Sequence, residues 1–349
     1  GRVRRVVDQR RERETATADH FRGLYISEAD VDRLLEGDDP IWRDADAARP
    51  TDDDRIERWL DHQGVGDADI RLRRLASDFA LDPLDTEILL IALAPDIDAR
   101  FERLYGFLQD DITRRRASVG LAVELCGFPT WDRRARSRFA PDAPLVAADL
   151  LWSEDPTRPL LSRPLQVPDR VIAHLLGSDE ADPAVAALRV SPAPTDLPAA
   201  AGISDVLGRG GGLAYLSDRT GAAGRAAAAA AFARLRLPHL SLDLTRTAVA
   251  DDLEAVSRLA VREARLRGGG LVVGPVDALA GGDSRAIRVL ADSSCPVVLT
   301  GRVAWEPGWS NRVPFITDAP VPTTAERRRI WRFALKAADG PEEPRLAEQ

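Results

Sequence analysis

Leu72, Leu75, Ala76 and Phe79 recur at the i, i+3, i+4, i+7 spacing that lays apolar side chains along one helix face. The stretch breaks at Leu81-Asp82-Pro83. Asp82 can cap a following helix, and Pro83 falls in its first turn, where a missing N–H costs nothing. That second helix, through Ala94, contains Ile88-Leu89-Leu90-Ile91-Ala92-Leu93. It is apolar nearly all round, which predicts the buried centre of a helical domain, with Pro95 ending it. A third helix from Asp96 puts Ile97, Phe101, Leu104, Tyr105 and Leu108 on one face. A fourth, after Ser118, turns Val119, Leu121, Ala122 and Leu125 inward. Before Asp67 the periodicity is weak, and only Glu28–Leu35, with Ser27 as N-cap, reads as a short helix.

After Phe139 the texture changes. Pro144 through Trp152 reads as a strand, Glu154-Asp155-Pro156-Thr157 as a turn, and Arg158–Leu165 as the returning strand. Helices followed by a hairpin describe a winged-helix arrangement, closed by a short helix at Val171–Leu176 that Gly177 ends. Pro183, Pro192, Pro194 and Pro198 then mark a linker. Beyond it strands and helices alternate. Strands are expected at Leu213–Leu216, His239–Leu244, Leu271–Val273 and Pro296–Thr300, with one more at Val313–Ile316. The intervening helices are Arg225–Leu235, Asp251–Leu266, with Asp251 or its neighbour as cap, and Ser284–Ala291. Repeated β-α-β units mean a parallel sheet with helices on both faces. The expected fold class is therefore a two-domain α/β chain. A mostly helical winged-helix-like interaction domain (1–178) and a linker (179–205) precede a P-loop-type core (206–335) and a truncated lid start (336–349).

The glycines of Gly208–Gly212 precede their strand and so cannot form a phosphate loop, which must follow a strand and open a helix. The loop Ser217–Gly224 is where one would sit. Against G-x-x-x-x-G-K-[ST], the chain reads Arg219-Thr220-Gly221-Ala222-Ala223-Gly224-Arg225-Ala226. The first glycine is Arg219, the phosphate-binding lysine is Arg225, and the magnesium-holding hydroxyl is replaced by Ala226. The candidate binding residues of this degenerate loop are Gly221, Ala222, Ala223, Gly224, Arg225 and Ala226, and an empty, collapsed loop is the preferred reading. No catalytic residue and no metal ligand is assigned.

Leu271-Val272-Val273-Gly274-Pro275-Val276-Asp277-Ala278-Leu279 resembles the AAA+ text of hydrophobics followed by D-E-x-D-A-L. That register puts Gly274 at the magnesium-binding aspartate, Pro275 at the catalytic glutamate, and Asp277 at a structural aspartate. Val297–Arg302 resembles the sensor-1 strand, with Gly301 in the polar position, and Pro320–Trp331 resembles the passage into the helical lid. In the first half, Ala92-Leu93-Ala94-Pro95-Asp96-Ile97-Asp98 and Leu108-Gln109-Asp110-Asp111 resemble the winged-helix region of the AAA+ ATPases of extracellular contractile injection systems, the phage-tail-like particles. The resemblance covers about residues 70–335. It implies a parent protein that hydrolyses ATP with magnesium through a second module, while the present chain carries an inactive first module and no cofactor of its own.

Composition narrows this little further. Hydrophobic residues make up 44% and charged residues 30% of 349, with a net charge of -8. That is a globular balance rather than a disordered one. No apolar run reaches the ~20 residues of a membrane span, and there is no signal peptide. Cys126 and Cys295 stand apart, and His20, His62, His174 and His239 share no ligand spacing, so a cytoplasmic chain without a disulfide or metal site is expected. The missing initiator Met suggests trimming at the start, and the end at Gln349 a cut. Arg114-Arg115-Arg116 could meet phosphates, yet Asp110-Asp111 beside them favours a solvated charged face. Nucleic acid is the unexpected partner; protein partners, either injection-system components or the chain's own oligomer, are the expected ones. Three readings stand: a noncatalytic assembly segment of an AAA+ ATPase, an active ATPase using Arg225 with Asp218 or Asp243, and a winged-helix DNA-binding regulator.

Overall fold

The structure is a computed structural model that describes residues 3–8, 31–32, 67–153, 155, 157–192, 200–208, 212–219, 223–247, 252–280, 284–321 and 323–337. It divides into two compact units, Gly1–Asp179 and Glu180–Gln349.

In the first unit, α1 (Asp67–Asp78), α2 (Pro83–Ile97), α3 (Arg100–Leu108) and α4 (Val119–Leu125) form; α3 begins at Arg100 rather than Asp96, because α2 continues through Ile97, which is exposed rather than on the inward face expected of it. Asp82 caps α2 by accepting from the Asp85 amide, and Asp85 returns the contact to the Asp82 amide, a reciprocal capping box. Ser118 caps α4 in the same way, accepting from Leu121 N. Pro95 does not end α2: the helix runs to Ile97 with Pro95 inside it. A proline there leaves the carbonyl four residues back without its helical donor. The hydroxyl of the buried Tyr105 donates to that carbonyl, Ile91 O, at 2.9 Å, so the loss is made good. Gln109 explains the motif it sits in. Its amide donates to the carbonyls of Tyr105, Arg114 and Arg116 and accepts from Ser118 N, stitching the end of α3 to the start of α4.

The wing is shorter than expected. Pro144–Ala147 is a helical turn (α6), not a strand, with Pro144 at its first position and Leu145, Leu150 and Leu151 buried at turn rather than alternating spacing. Arg133–Ser137 (α5) precedes it. Only β1 (Trp152–Ser153) and β2 (Leu165–Gln166) pair, antiparallel, while Leu160–Ser162 is a 3₁₀ turn between Pro159 and Pro164, neither of which has a ladder N–H to give. A bridge from Ser118 to Pro164 adds a third edge to the hairpin. Helix α7 (Asp169–Leu175) closes the unit. Of the expected helix Glu28–Leu35, only residues 31–32 are described, and they are helical; the rest lies outside the described residues, as do Glu154 and Pro156 of the turn.

The second unit opens with α8 (Pro183–Leu188) and β3 (Arg189–Val190), so part of the segment read as linker carries regular structure; residues 193–199 lie outside the described residues. Then come α9 (Ala200–Leu207), β4 (Leu213–Ser217), α10 (Ala223–Arg234), β5 (His239–Asp243), α11 (Leu253–Leu266), β6 (Gly270–Gly274), α12 (Asp277–Ala280), α13 (Arg285–Ala291), β7 (Val297–Gly301), β8 (Phe315–Asp318) and α14 (Thr324–Ala337). The last expected strand is thus shifted two residues onward. The six strands run in the order β3-β5-β6-β7-β4-β8, parallel except for the antiparallel edge strand β3. Alternate residues serve opposite faces. Ala214 and Leu216 pack with α9 and α10, whereas Leu213 and Tyr215 join the core lined by α8, α11 and α13. The sheet is therefore covered on both sides. Asp252, not Asp251, caps α11, accepting from Glu254 N and Ala255 N. Asp251, residues 209–211 of the glycine cluster and the tail from 338 lie outside the described residues.

Candidate functional site

Strand β4 feeds α10 on one face of the sheet, while β5, β6 and β7 are joined through α11 and α13 on the other. β4 and β7 are neighbours. The connections thus change face between them, which makes the carboxyl end of β4 the switch point where open α/β sheets bind ligands. The loop Ser217–Gly224 leaves there.

Of the candidate loop residues, Gly221 and Ala222 lie outside the described residues; Ala223, Gly224, Arg225 and Ala226 form the first turn of α10. Ala223 and Ala226 are buried and bring no polar atom. The Gly224 amide points at the loop and is taken by Asp218, whose Oδ2 accepts from it at 2.7 Å. Asp218 is itself buried, and its own N–H donates to Gly301 O at 2.8 Å. A carboxylate of the chain therefore rests on the helix N-terminus, the position that favours an anion. Arg225 turns the other way: its Nη1 stands 2.7 Å from Asp243 Oδ2, at the end of β5. Neither Asp218 nor Asp243 is left poised as a base.

Burial opposes the charge on Asp243, but hydrogen bonds from Arg225 and Thr245 outweigh it and hold the carboxyl below its ordinary 3.8. A depressed carboxyl contributes stability that is complete above 3.8 and fades as the pH falls through the lowered value. Acid titration of thermal stability should therefore show a decline below pH 3.8 that the Asp243→Asn variant lacks in part. Parallel acid curves for the two proteins would refute the pairing.

The second half of the site is closed by packing. At Gly274 a Cβ would stand 2.0 Å from Thr300 Oγ1 and 2.7 Å from Thr300 O, so β7 leaves no room for a side chain at this end of β6. At Gly301 a Cβ would meet Val276 Cγ2 at 2.7 Å and the Tyr215 hydroxyl at 2.8 Å. Asp277 has structural work: it accepts from the amides of Arg302 and Val303 and pins the turn after β7. The Tyr215 hydroxyl donates to Val303 O in the same turn, and burial, with the Asp277 charge added, pushes its pKa up to about 12. Trp305 and Trp309 pack on Tyr215, at ring-centroid distances of 5.5 and 6.4 Å. Sequence reading missed this cluster because Tyr215 lies about ninety positions from the two tryptophans, and no local period links them.

Arg114, Arg115 and Arg116 of the first unit are each matched with an acid: Asp111 at 3.2 Å, Glu102 at 3.6 Å and Asp96 at 2.8 Å. That is the solvated charged face. Among the described residues no cluster of His, Cys, Asp and Glu could hold a metal ion, and no helix is long and apolar enough to cross a membrane.

No curated protein matches the chain. A family model does, that of the winged helix domain, variant, over residues 2–188. Its span takes in helices α2–α4 and the β1–β2 wing, and it covers more than half of the 349 residues. The chain belongs to the winged helix domain family, in its variant form.

Proposed function

We propose that the second unit is an AAA+-like, P-loop-type core that has given up nucleotide chemistry, and that the chain acts as the noncatalytic, protein-binding part of an AAA+ ATPase of a contractile injection system. The reading of the second unit is supported by the order of its parallel strands, by helices on both faces, and by the loop at the switch point. The injection-system reading rests on the motif stretches of residues 92–98 and 108–111 and on the winged-helix unit that carries them.

The observation that carries the loss of chemistry is the Asp218 carboxylate on the Gly224 amide. A magnesium–triphosphate does not fit the residues present. Its phosphate oxygens would meet a fixed negative charge at the one helix terminus that should attract them. The cation at the lysine position is committed to Asp243. Ala226 has no oxygen for a metal, and Gly274 has no room for one. Without those groups the charge that develops in phosphoryl transfer loses its usual stabilisation. What remains is a scaffold whose exposed surfaces are available to other proteins.

Calorimetric titration of the chain with Mg-ATP and with ADP tests this. Binding no tighter than about 1 mM, with turnover at the background rate, is expected. Micromolar binding with magnesium-dependent turnover would replace the proposal by an active ATPase. Duplex binding that weakens steeply with salt would replace it by the DNA-binding reading.

A further inference from the structure

The turn-and-helix segment between α4 and the wing carries a surface that neither the packing of the first unit nor the proposed function uses. Trp131 is 78% exposed. Arg133, Arg134 and Arg136 follow it, all exposed, and among the described residues no side chain or carbonyl engages their guanidinium groups. Several other arginines of the unit are tied to acids, Arg71 to Asp179, Arg100 to Asp98, Arg158 to Asp155. Three uncommitted cations within four residues, beside a large exposed indole, concentrate positive charge locally in a chain of net charge -8.

The surface is also held in place. Ala135 faces inward and is fully buried, which by helical geometry turns 133, 134 and 136 to the solvent side. Asp132 caps the turn by accepting from Ala135 N at 2.9 Å. At its other end Arg138 reaches Asp82 at 2.6 Å and the buried Asp85 at 3.3 Å, locking α5 to the start of α2. Preorganised groups lose little freedom on binding.

We propose that Trp131, Arg133, Arg134 and Arg136 form a docking surface for an acidic protein segment, one that offers two or three carboxylates around an apolar side chain. Charge complementarity selects the carboxylates, since the guanidinium fork matches them bidentately. The indole selects the apolar neighbour, and Trp and Arg are both among the residues enriched where protein interfaces concentrate their energy. A duplex is the poorer occupant. Five helical residues rise only about 7.5 Å, so the surface reaches few phosphates, and the affinity of such contacts grows with their number. This inference stands on the first unit alone and does not depend on the state of the loop after β4.

The test uses the full chain and fluorescein-labelled eight-residue peptides in which one Leu or Phe is set among glutamates, with lysine-based counterparts and a labelled DNA duplex as comparisons. Fluorescence anisotropy at low salt should show the acidic peptides binding and the lysine peptides not binding. The triple variant Arg133→Glu, Arg134→Glu, Arg136→Glu should weaken binding at least about tenfold, and Trp131→Ala by a smaller factor, both with unchanged thermal melting. Reversal of the paired Arg114 and Arg115 should change binding little. No binding of any acidic peptide, or equal binding by the triple variant, would overturn the proposal. Tighter binding of the duplex, lost in the same triple variant, would overturn it in favour of a nucleic-acid surface.

Discussion

Gly274→Asp, which places an acid at the end of strand β6, is expected to destabilise the second unit. The strand is fully buried and lies between β5 and β7. The first side-chain atom alone would stand 2.0 Å from Thr300 Oγ1 and 2.7 Å from Thr300 O. The hydroxyl could rotate away, but the carbonyl cannot, because it accepts from Val276 N at 2.8 Å and belongs to a central strand. A carboxylate placed there would also be buried without a designated cation. Overpacking and an unpaired buried charge act in the same direction, so a loss of about 3 kcal/mol or more is expected. Chemical denaturation of the wild-type and variant chains gives the readout, as a lower midpoint. A variant with the wild-type midpoint would mean that β7 yields easily and that the closed-site account is wrong.

The second large effect is expected far from the loop. Arg262, on α11, is almost fully buried, and its Nη2 lies 3.1 Å from Asp182 Oδ2. Asp182 in turn caps α8 through Ala184 N, and its own N–H donates to the buried Glu263 at 3.3 Å. These contacts fasten α8 and the edge strand β3 to the body of the unit. Arg262→Ala removes the cation facing Asp182, while opening a cavity the size of the side chain. Breaking a buried pair from one side costs about 3–5 kcal/mol. Part of that loss should be local: protection of the β3–β5 amides against hydrogen exchange should fall by more than that of β6 and β7. Uniform loss across the sheet would argue that α8 and β3 are integral to the cooperative unit rather than bolted onto it.

Most of the secondary structure was legible because it follows local periods. The spacing of Leu72, Leu75 and Phe79 and the caps at Asp82 and Ser118 act within one or two turns of chain, and the structure keeps them. The parallel strands were legible as apolar runs between helical stretches, and four of the five are displaced by no more than one residue at either end. The misreadings share a cause. Pro95 reads as a stop in the sequence because the donor that replaces its missing N–H, Tyr105, comes from another helix. Pro144–Trp152 reads as a strand in the sequence because Val and Trp favour extended chain, whereas burial of Leu145 and Leu151 accompanies a helical turn. Residues 183–190 read as linker in the sequence because prolines and alanines carry no signal of the Arg262 contact to Asp182.

The candidate site divides in the same way. The residue identities on which the proposed reading turns, Arg225, Ala226, Gly274, Pro275 and Gly301, are written in the chain. What stands in the vacated space is not. That Asp218 turns back onto the Gly224 amide, that Arg225 is drawn to Asp243, and that Thr300 fills the room beside Gly274 are contacts between residues brought together by the sheet. The physical reason is range. Periodicity and capping are fixed by neighbours a few bonds away, whereas the partner of a charge, or the atom that fills a gap, is chosen by whichever strand the fold lays alongside.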